Sequence, residues 1–218
     1  MAYNIGPKIV TDGLVLALDA GSERSYPGSG TIWYDLSGNG NHGTLSDSAI
    51  GTTTGIMTFN GSNCVVITGF QPDFIHTNAT HEYWINYTSF GGANGNHSSH
   101  RWYLGLQSAT SFGWGVANNN NWGSGYNHGV SLGEWCKLTV VAEDGTARGY
   151  LNGEYTGLSF GYTQDIVNNP IGYYTIGDWD QGGQLVNGKI SHVIMYDRAL
   201  TQAEITQNYN AQKRRFSL

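Results

Sequence analysis

Short stretches in which apolar and polar side chains alternate recur along the chain and predict β-strands. Residues 81–90 show the pattern most clearly, because Tyr83, Ile85 and Tyr87 would share one face of an extended strand. Similar or more uniformly apolar runs predict further strands at 13–19, 56–60, 64–68, 102–107, 111–117, 135–142, 147–151, 173–177 and 188–196. Many short strands without intervening helices favour an antiparallel two-sheet sandwich, an all-β fold.

Local turn signals set the predicted connections. Asp144-Gly145 and Asn152-Gly153 are typical of tight hairpins, and Gly61 suggests that 56–60 and 64–68 form a hairpin as well. Thr201 with Glu204 predicts a capping box at the start of one short C-terminal helix. Loops are expected at 91–99, 118–125 and 178–183. We therefore expect one domain over 1–218, with residues 1–12 as an extended arm.

The stretch 33–43 combines one acid with glycine, asparagine and serine. Asp35, Ser37, Asn39 and Asn41 alternate along it and could direct several oxygens to one point, as calcium requires, with Asp35, Asn39 and Asn41 as the candidate ligands. The alternative is a turn between two strands whose side chains hydrogen-bond to its own backbone. This alternative is favoured because calcium loops usually carry more than one acid.

Composition excludes several classes of protein. The net charge is −6 with only 12% charged residues, and no basic stripe accompanies the aromatic residues, so we expect no nucleic-acid partner. No apolar run is long enough for a membrane span, and the N-terminus lacks a signal-peptide pattern. We therefore expect that the protein does not associate with a membrane and that it folds in a cytoplasm. In that reducing compartment Cys64 and Cys136 are expected to be free thiols.

Four segments occur in an order that is specific for a fold. They are Trp-Tyr-Asp-Leu-Ser-Gly-Asn-Gly-Asn at 33–41, Phe-Asn-Gly-Ser-Asn-Cys-Val-Val at 59–66, a tryptophan strand with a Tyr-Leu-Asn-Gly turn within 133–153, and a last strand with its helix cap at 188–205. Together they resemble the laminin-G-like group of the concanavalin A-like lectin/glucanase superfamily. The resemblance implies a jelly-roll sandwich and makes 13–19 and 188–196 neighbouring strands.

The same resemblance implies a role and a second calcium ligand. The N-terminal part looks like the versions found in virion proteins of tailed bacteriophages, which implies a particle surface, with other virion proteins or further copies of the chain as partners. Related jelly rolls can hold calcium with an acid near the first strand, where this chain has Asp19. An acid that family members often carry later is replaced by Ser191, which puts that site in doubt.

Catalysis and binding leave different patterns. A glycosidase needs two carboxylates converging on one sugar bond, and no strand carries such a pair, so we expect no enzymatic activity. Aromatic rings that stack on sugars occur in three polar loops beside amides and acids. The candidate sugar ligands are Asn121, Trp122, Tyr126, His128, Trp179 and Asp180. Alternatively, these aromatic side chains close the rim of the sandwich or contact another subunit.

These observations favour a non-enzymatic phage virion protein that is folded in the host cytoplasm, displayed on the capsid, tail or fibre, and able to bind host-surface glycan. The alternative is a free lectin, or an accessory module of a bacterial surface protein.

Calcium at Asp35, Asn39, Asn41 and Asp19 predicts a higher melting temperature in calcium than in chelator. A ligand that binds only the native state must stabilise it. Thermal melting in calcium chloride and in EDTA, with magnesium as the control ion, checks this. An unchanged midpoint would exclude the site.

Overall fold

A computed structural model describes residues 8–46, 51–53, 55–70, 78–90, 94–96, 101–117, 119–124, 127–162, 173–178 and 185–218. Its strands are β1 (Leu14–Asp19), β2 (Ile32–Trp33), β3 (Gly43–Leu45), β4 (Gly51–Thr53), β5 (Ile56–Asn60), β6 (Val65–Thr68), β7 (Ala79–Ser89), β8 (Asn94–Asn96), β9 (Arg101–Ser108), β10 (Ser111–Ala117), β11 (Asn119–Ser124), β12 (Trp135–Glu143), β13 (Thr146–Leu151), β14 (Glu154–Gly161), β15 (Tyr173–Ile176) and β16 (Asn187–Tyr196). Helix α1 (Gln202–Gln212) continues into a 3₁₀ turn, Lys213–Phe216.

The strands form two sheets of eight. Sheet A has the order β14-β13-β12-β7-β16-β5-β4, with β1 also paired to β16. Sheet B has the order β11-β10-β9-β8-β15-β6-β3-β2. The strand pairs of both sheets are antiparallel. The predicted all-β sandwich is confirmed, and so is the neighbouring position of β1 and β16.

The main core lies between the sheets and is rich in aromatic side chains. Trp33, Trp114 and Tyr174 of sheet B are buried against Tyr83 and Ile85 of sheet A. The hydroxyl groups of Tyr83 and Tyr174 form a hydrogen bond across the interface. Burying each large ring contributes on the order of 2 kcal/mol, so these contacts dominate the stabilisation of the sandwich.

A second core covers the outer face of sheet A. Ile205 of α1 packs against Val141, Ile194 and Tyr196, with Leu200 beside them. The strand β7 is consequently buried on both faces from Ala79 to Tyr87. Its alternating pattern predicted a strand correctly, but its second face is covered by the C-terminal segment.

Three predicted connections are wrong. The loop expected at 91–99 contains a short strand, since Asn94–Asn96 form β8 and pair with β9 and β15. The strands β5 and β6 do not form a hairpin, because β5 belongs to sheet A and β6 to sheet B. The turn at Gly61 carries the chain from one sheet to the other, so that Phe59 and Val65 enter the core from opposite sides. Residues 119–124 form the edge strand β11 in place of the expected loop, because pairing with β10 outweighs the low strand propensity of asparagine.

The short-range signals are confirmed. Asp144 and Asn152 have φ of 46° and 52°, and the glycines after them are also left-handed, as two-residue hairpins require. Thr201 and Glu204 form the capping box of α1. Cys64 and Cys136 are free, as expected. Within the described residues, no helix has the length and apolar character needed to cross a membrane.

Gly149→Ala should destabilise the protein by about 1–3 kcal/mol, the usual range for an overpacked core. A methyl group on Gly149 would overlap the ring of Trp114 and come within 3.1 Å of Phe112, which fixes the spacing of the two sheets at this point. Gly161→Ala is the matched control, because its added methyl group meets only a carbonyl oxygen at 3.9 Å. Urea unfolding measures both changes, and equal effects would contradict the assigned packing.

Candidate functional site

The loop after β2 is organised by the buried carboxylate of Asp35. Its Oδ1 accepts hydrogen bonds from the backbone N–H groups of Ala17 (2.8 Å) and Ser37 (2.9 Å). Its Oδ2 accepts from the Ser37 hydroxyl (2.6 Å) and from the Asn41 N–H (3.1 Å). Four donors occupy the lone pairs of this carboxylate, so the loop is bonded to itself and to β1.

The two asparagines of the predicted calcium set also bond to β1. The Nδ2 atoms of Asn39 and Asn41 donate to the carbonyl oxygen of Val15, at 3.4 and 2.8 Å. Across the described part of the chain, no group of three or more His, Cys, Asp or Glu residues could hold a metal ion. Calcium at this loop stays a prediction, and a bound ion would have to compete with these donors.

Asp19, the other predicted calcium ligand, lies in an ionic cluster at the end of β1. Burial raises its pKa, but hydrogen bonds from His192 and Arg215 outweigh burial, so the pKa of Asp19 falls well below its usual range. Arg215 makes two contacts with the carboxylate, one of them at 3.1 Å. This arrangement fixes the C-terminal 3₁₀ turn to β1 and β16.

The candidate sugar ligands Asn121 and Trp122 lie on β11, the edge strand of sheet B. Trp122 pairs with Gly113, which pairs in turn with Gly105 on β9. Asn121 is in register with Trp114, whose side chain is buried in the core. The register places Trp122 in one cross-strand row with Gly113 and Gly105, and Asn121 in the neighbouring row with Trp114.

The His128 ring is held in place by hydrogen bonds within the protein. Its Nε2 bonds to the carbonyl oxygen of Ser108 at 2.8 Å, and its Nδ1 accepts the Val130 N–H at 3.0 Å. The ring is buried and contacts Phe90 edge-on. Neither ring nitrogen is therefore free to bond a sugar hydroxyl. The remaining candidates, Tyr126, Trp179 and Asp180, lie outside the described residues.

A buried polar cluster beneath α1 was not predicted from the sequence. The Lys137 ammonium lies 3.0 Å from the Glu82 carboxylate, and both side chains are at most 1% exposed. Asn208 of α1 donates to Glu82 at 2.9 Å and accepts the Val10 N–H at 2.8 Å. Burial lowers the pKa of Lys137, which Glu82 partly offsets. The sequence carries no local signal for this cluster, because Glu82, Lys137 and Asn208 are far apart in the chain.

Aromatic stacking closes the same face. Trp84 stacks on Tyr209 at 5.6 Å and on Phe216 at 4.2 Å between ring centroids. The Gln212 side-chain oxygen accepts from both the Trp84 indole (2.8 Å) and the Lys137 ammonium (3.1 Å). These groups cover the outer face of sheet A with protein around Trp84 and Lys137.

Comparison with protein-family models decides the family, since a model of the concanavalin A-like lectin/glucanases superfamily matches residues 59–206. The chain belongs to this superfamily. The match begins at Phe59, within β5, and ends within α1, so it spans most of both sheets. No curated protein sequence matches the chain significantly.

Solved structures share the fold at low sequence identity. A Trypanosoma rangeli sialidase in complex with sialic acid is 16% identical, with a TM-score of 0.68 over 96% of this chain and 36% of that one. The receptor binding domain of the botulinum neurotoxin C/D mosaic serotype is 15% identical, with a TM-score of 0.68 over 93% of this chain and 52% of that one. The chain thus spans about a third to a half of these matched chains. Such likenesses show the fold alone.

The expectation of no enzymatic activity is corrected by this comparison. The sialidase is an enzyme, and its match covers 92% of this chain in another of its complexes, at 16% identity. The fold is therefore one that occurs within an enzyme as well as in toxin binding domains. A missing pair of acids on one strand was too narrow a criterion, because the fold alone does not decide activity.

Lys137→Met should destabilise the protein by about 3–5 kcal/mol, because it leaves the buried Glu82 carboxylate without its counter-ion. The double variant Glu82→Gln with Lys137→Met removes both charges, and we expect it to be more stable than the single variant. Urea unfolding with circular dichroism measures the difference.

The matched control is the exposed pair Arg148–Glu143, with an N–O distance of 3.2 Å. Arg148→Met should change stability by less than about 1 kcal/mol, as is usual for surface pairs. Equal stability of the single and double variants would show that the buried charges are not coupled.

Proposed function

We propose that the protein is a lectin-like binding module that recognises a glycan along the β11 edge of sheet B. The observation that carries this proposal is the register of β11, which sets Trp122 in one cross-strand row with Gly113 and Gly105. Glycine inside a strand often marks a place where a ligand approaches the backbone closely. An aromatic residue at the edge of such a row suits a sugar ring.

The chemistry of the strand fits that ligand. Residues 118–121 are four asparagines, whose amide groups supply both donors and acceptors for hydroxyl groups. An indole ring offers an apolar face to the C–H groups of a pyranose. The strand β11 is at one end of the order of sheet B, and the backbone groups of an edge strand are available to a further partner.

Two of the similar structures support a role in recognition. The neurotoxin chain is named as a receptor binding domain, and the sialidase was solved with sialic acid. Because their sequence identity to this chain is low, no functional residue of these proteins is assigned to a residue here. The support is that the same sandwich fold occurs in a receptor binding domain and in a protein solved with a bound sugar.

We further propose that the module is displayed on a phage particle, on the capsid, tail or fibre, where it contacts other virion proteins or copies of itself. The resemblance of the N-terminal part to phage virion proteins is the support. Mass spectrometry of purified particles would detect the chain at a fixed copy number. A protein found only free in the lysate would favour the alternative, a free lectin or an accessory module.

Trp122→Ala should weaken glycan binding by about thirtyfold, the effect of losing a contact worth ~2 kcal/mol. The measurement is a glycan array followed by calorimetry on the strongest binder. Tyr34→Ala is the control, because Tyr34 is 42% exposed and lies on the separate loop after β2. Thermal melting confirms that both variants are folded.

Two outcomes would contradict the proposal. Wild-type protein that binds no glycan on the array would remove the sugar as ligand. Equal binding by the wild type and by folded Trp122→Ala would move the site away from β11.

A further inference from the structure

A cleft of about 250 Å³ opens on the outer side of sheet A, beside the start of α1. Strand β13 contributes Arg148 and Tyr150 to its wall, and the helix start contributes Thr201 and Gln202. It lies on the opposite sheet from β11, so it is separate from the proposed glycan edge. Its volume is just below the roughly 300–1,000 Å³ of typical ligand pockets, which indicates a small ligand.

The cleft contains a tyrosine hydroxyl that is not used by the described part of the protein. Tyr150 lines the cleft and is only 8% exposed as a residue, and its hydroxyl makes no hydrogen bond within the described residues. Burial raises the pKa of Tyr150 more than nearby Arg148 lowers it, so the hydroxyl keeps its proton at neutral pH and can donate. A hydroxyl that lines an opening and bonds no protein group can donate to a ligand and accept from one.

The neighbouring amide is held in place by the protein. The Nε2 of Gln202 donates to the carbonyl oxygen of Gly153 at 2.7 Å and to the Thr206 hydroxyl at 3.0 Å. Both amide protons are used in this way, which leaves the Gln202 side-chain oxygen as an acceptor. A hydroxyl donor on one side and an amide acceptor on the other therefore frame the opening.

Charge decides between classes of ligand. Arg148 and Glu143 both line the cleft and form an ion pair at 3.2 Å. The carboxylate disfavours an anion and the guanidinium disfavours a cation, so their sum favours a neutral ligand. A paired guanidinium and carboxylate also present donors and acceptors side by side, as adjacent sugar hydroxyls require.

Apolar surface completes the site. Val141 and Leu200 form buried parts of the lining. Tyr155 is 44% exposed, and its ring lies 5.4 Å from the ring of Tyr150, between centroids. An apolar base with convergent polar groups around it is the usual composition of a small-molecule site.

We propose that this cleft is a second binding site, which takes one neutral sugar ring. The Tyr150 hydroxyl and the Gln202 oxygen bond the ring hydroxyls, and the Arg148–Glu143 pair contacts an adjacent pair of hydroxyls. The site does not depend on glycan binding at β11.

The test titrates three neutral sugars (galactose, mannose and N-acetylglucosamine) into ¹⁵N-labelled protein, each at millimolar concentration, and N-acetylneuraminic acid as the anionic comparison. We expect shift changes in the amides of β13 and in the Gln202 side chain. Tyr150→Phe removes only a hydroxyl that has no partner within the described part of the protein, so the variant should fold normally. It should weaken binding about fivefold, the effect of one net hydrogen bond. Tyr34→Phe is the matched control and should leave binding unchanged.

The outcomes separate this proposal from the previous one. Shifts around β13 that persist in Trp122→Ala and weaken in Tyr150→Phe support the cleft, even if β11 binds nothing. No shift at the cleft with any of the three sugars would overturn it. Equal binding by wild type and Tyr150→Phe, or tighter binding of N-acetylneuraminic acid than of the neutral sugars, would also overturn it.

Discussion

The structure depends on the burial of sheet A on both faces. Its central strands β7, β12 and β16 face the aromatic core on one side and the C-terminal segment on the other. Their outer side chains are not all apolar, since Glu82 and Lys137 lie there. Such a face can be buried only if each charge is neutralised and each donor is bonded. The 3.0 Å ion pair and Asn208 meet that requirement.

This constraint determines where the chain ends lie and which surfaces remain for ligands. The Asn208 side chain bonds the Val10 backbone, and Arg215 bonds Asp19, so both ends of the described chain are fixed to the same face. The groups that could contact a ligand lie away from this contact. One set is on the β11 edge of sheet B, and the other surrounds Tyr150, where the start of α1 meets β13.

Much of the fold could be predicted because its signals are local. A two-residue turn requires left-handed backbone, which selects Asp144-Gly145 and Asn152-Gly153. The capping box of α1 needs only Thr201 and Glu204. The choice of sheet is not local. A hairpin and a crossover at Gly61 present the same alternation, because Phe59 and Val65 are buried in either case.

The sequence by itself determined ten of the sixteen described strands, the tight turns, the helix start and the superfamily, since each depends on residues close together in the chain or on ordered motifs. Only the tertiary structure decided how the strands divide between sheets and that 119–124 is an edge strand. It also decided that His128 and Asp35 bond within the protein and that Tyr150 faces a cleft. Those outcomes depend on contacts between residues that are distant in the chain, such as Asp35 with the Ala17 backbone, and a local sequence pattern does not report such contacts.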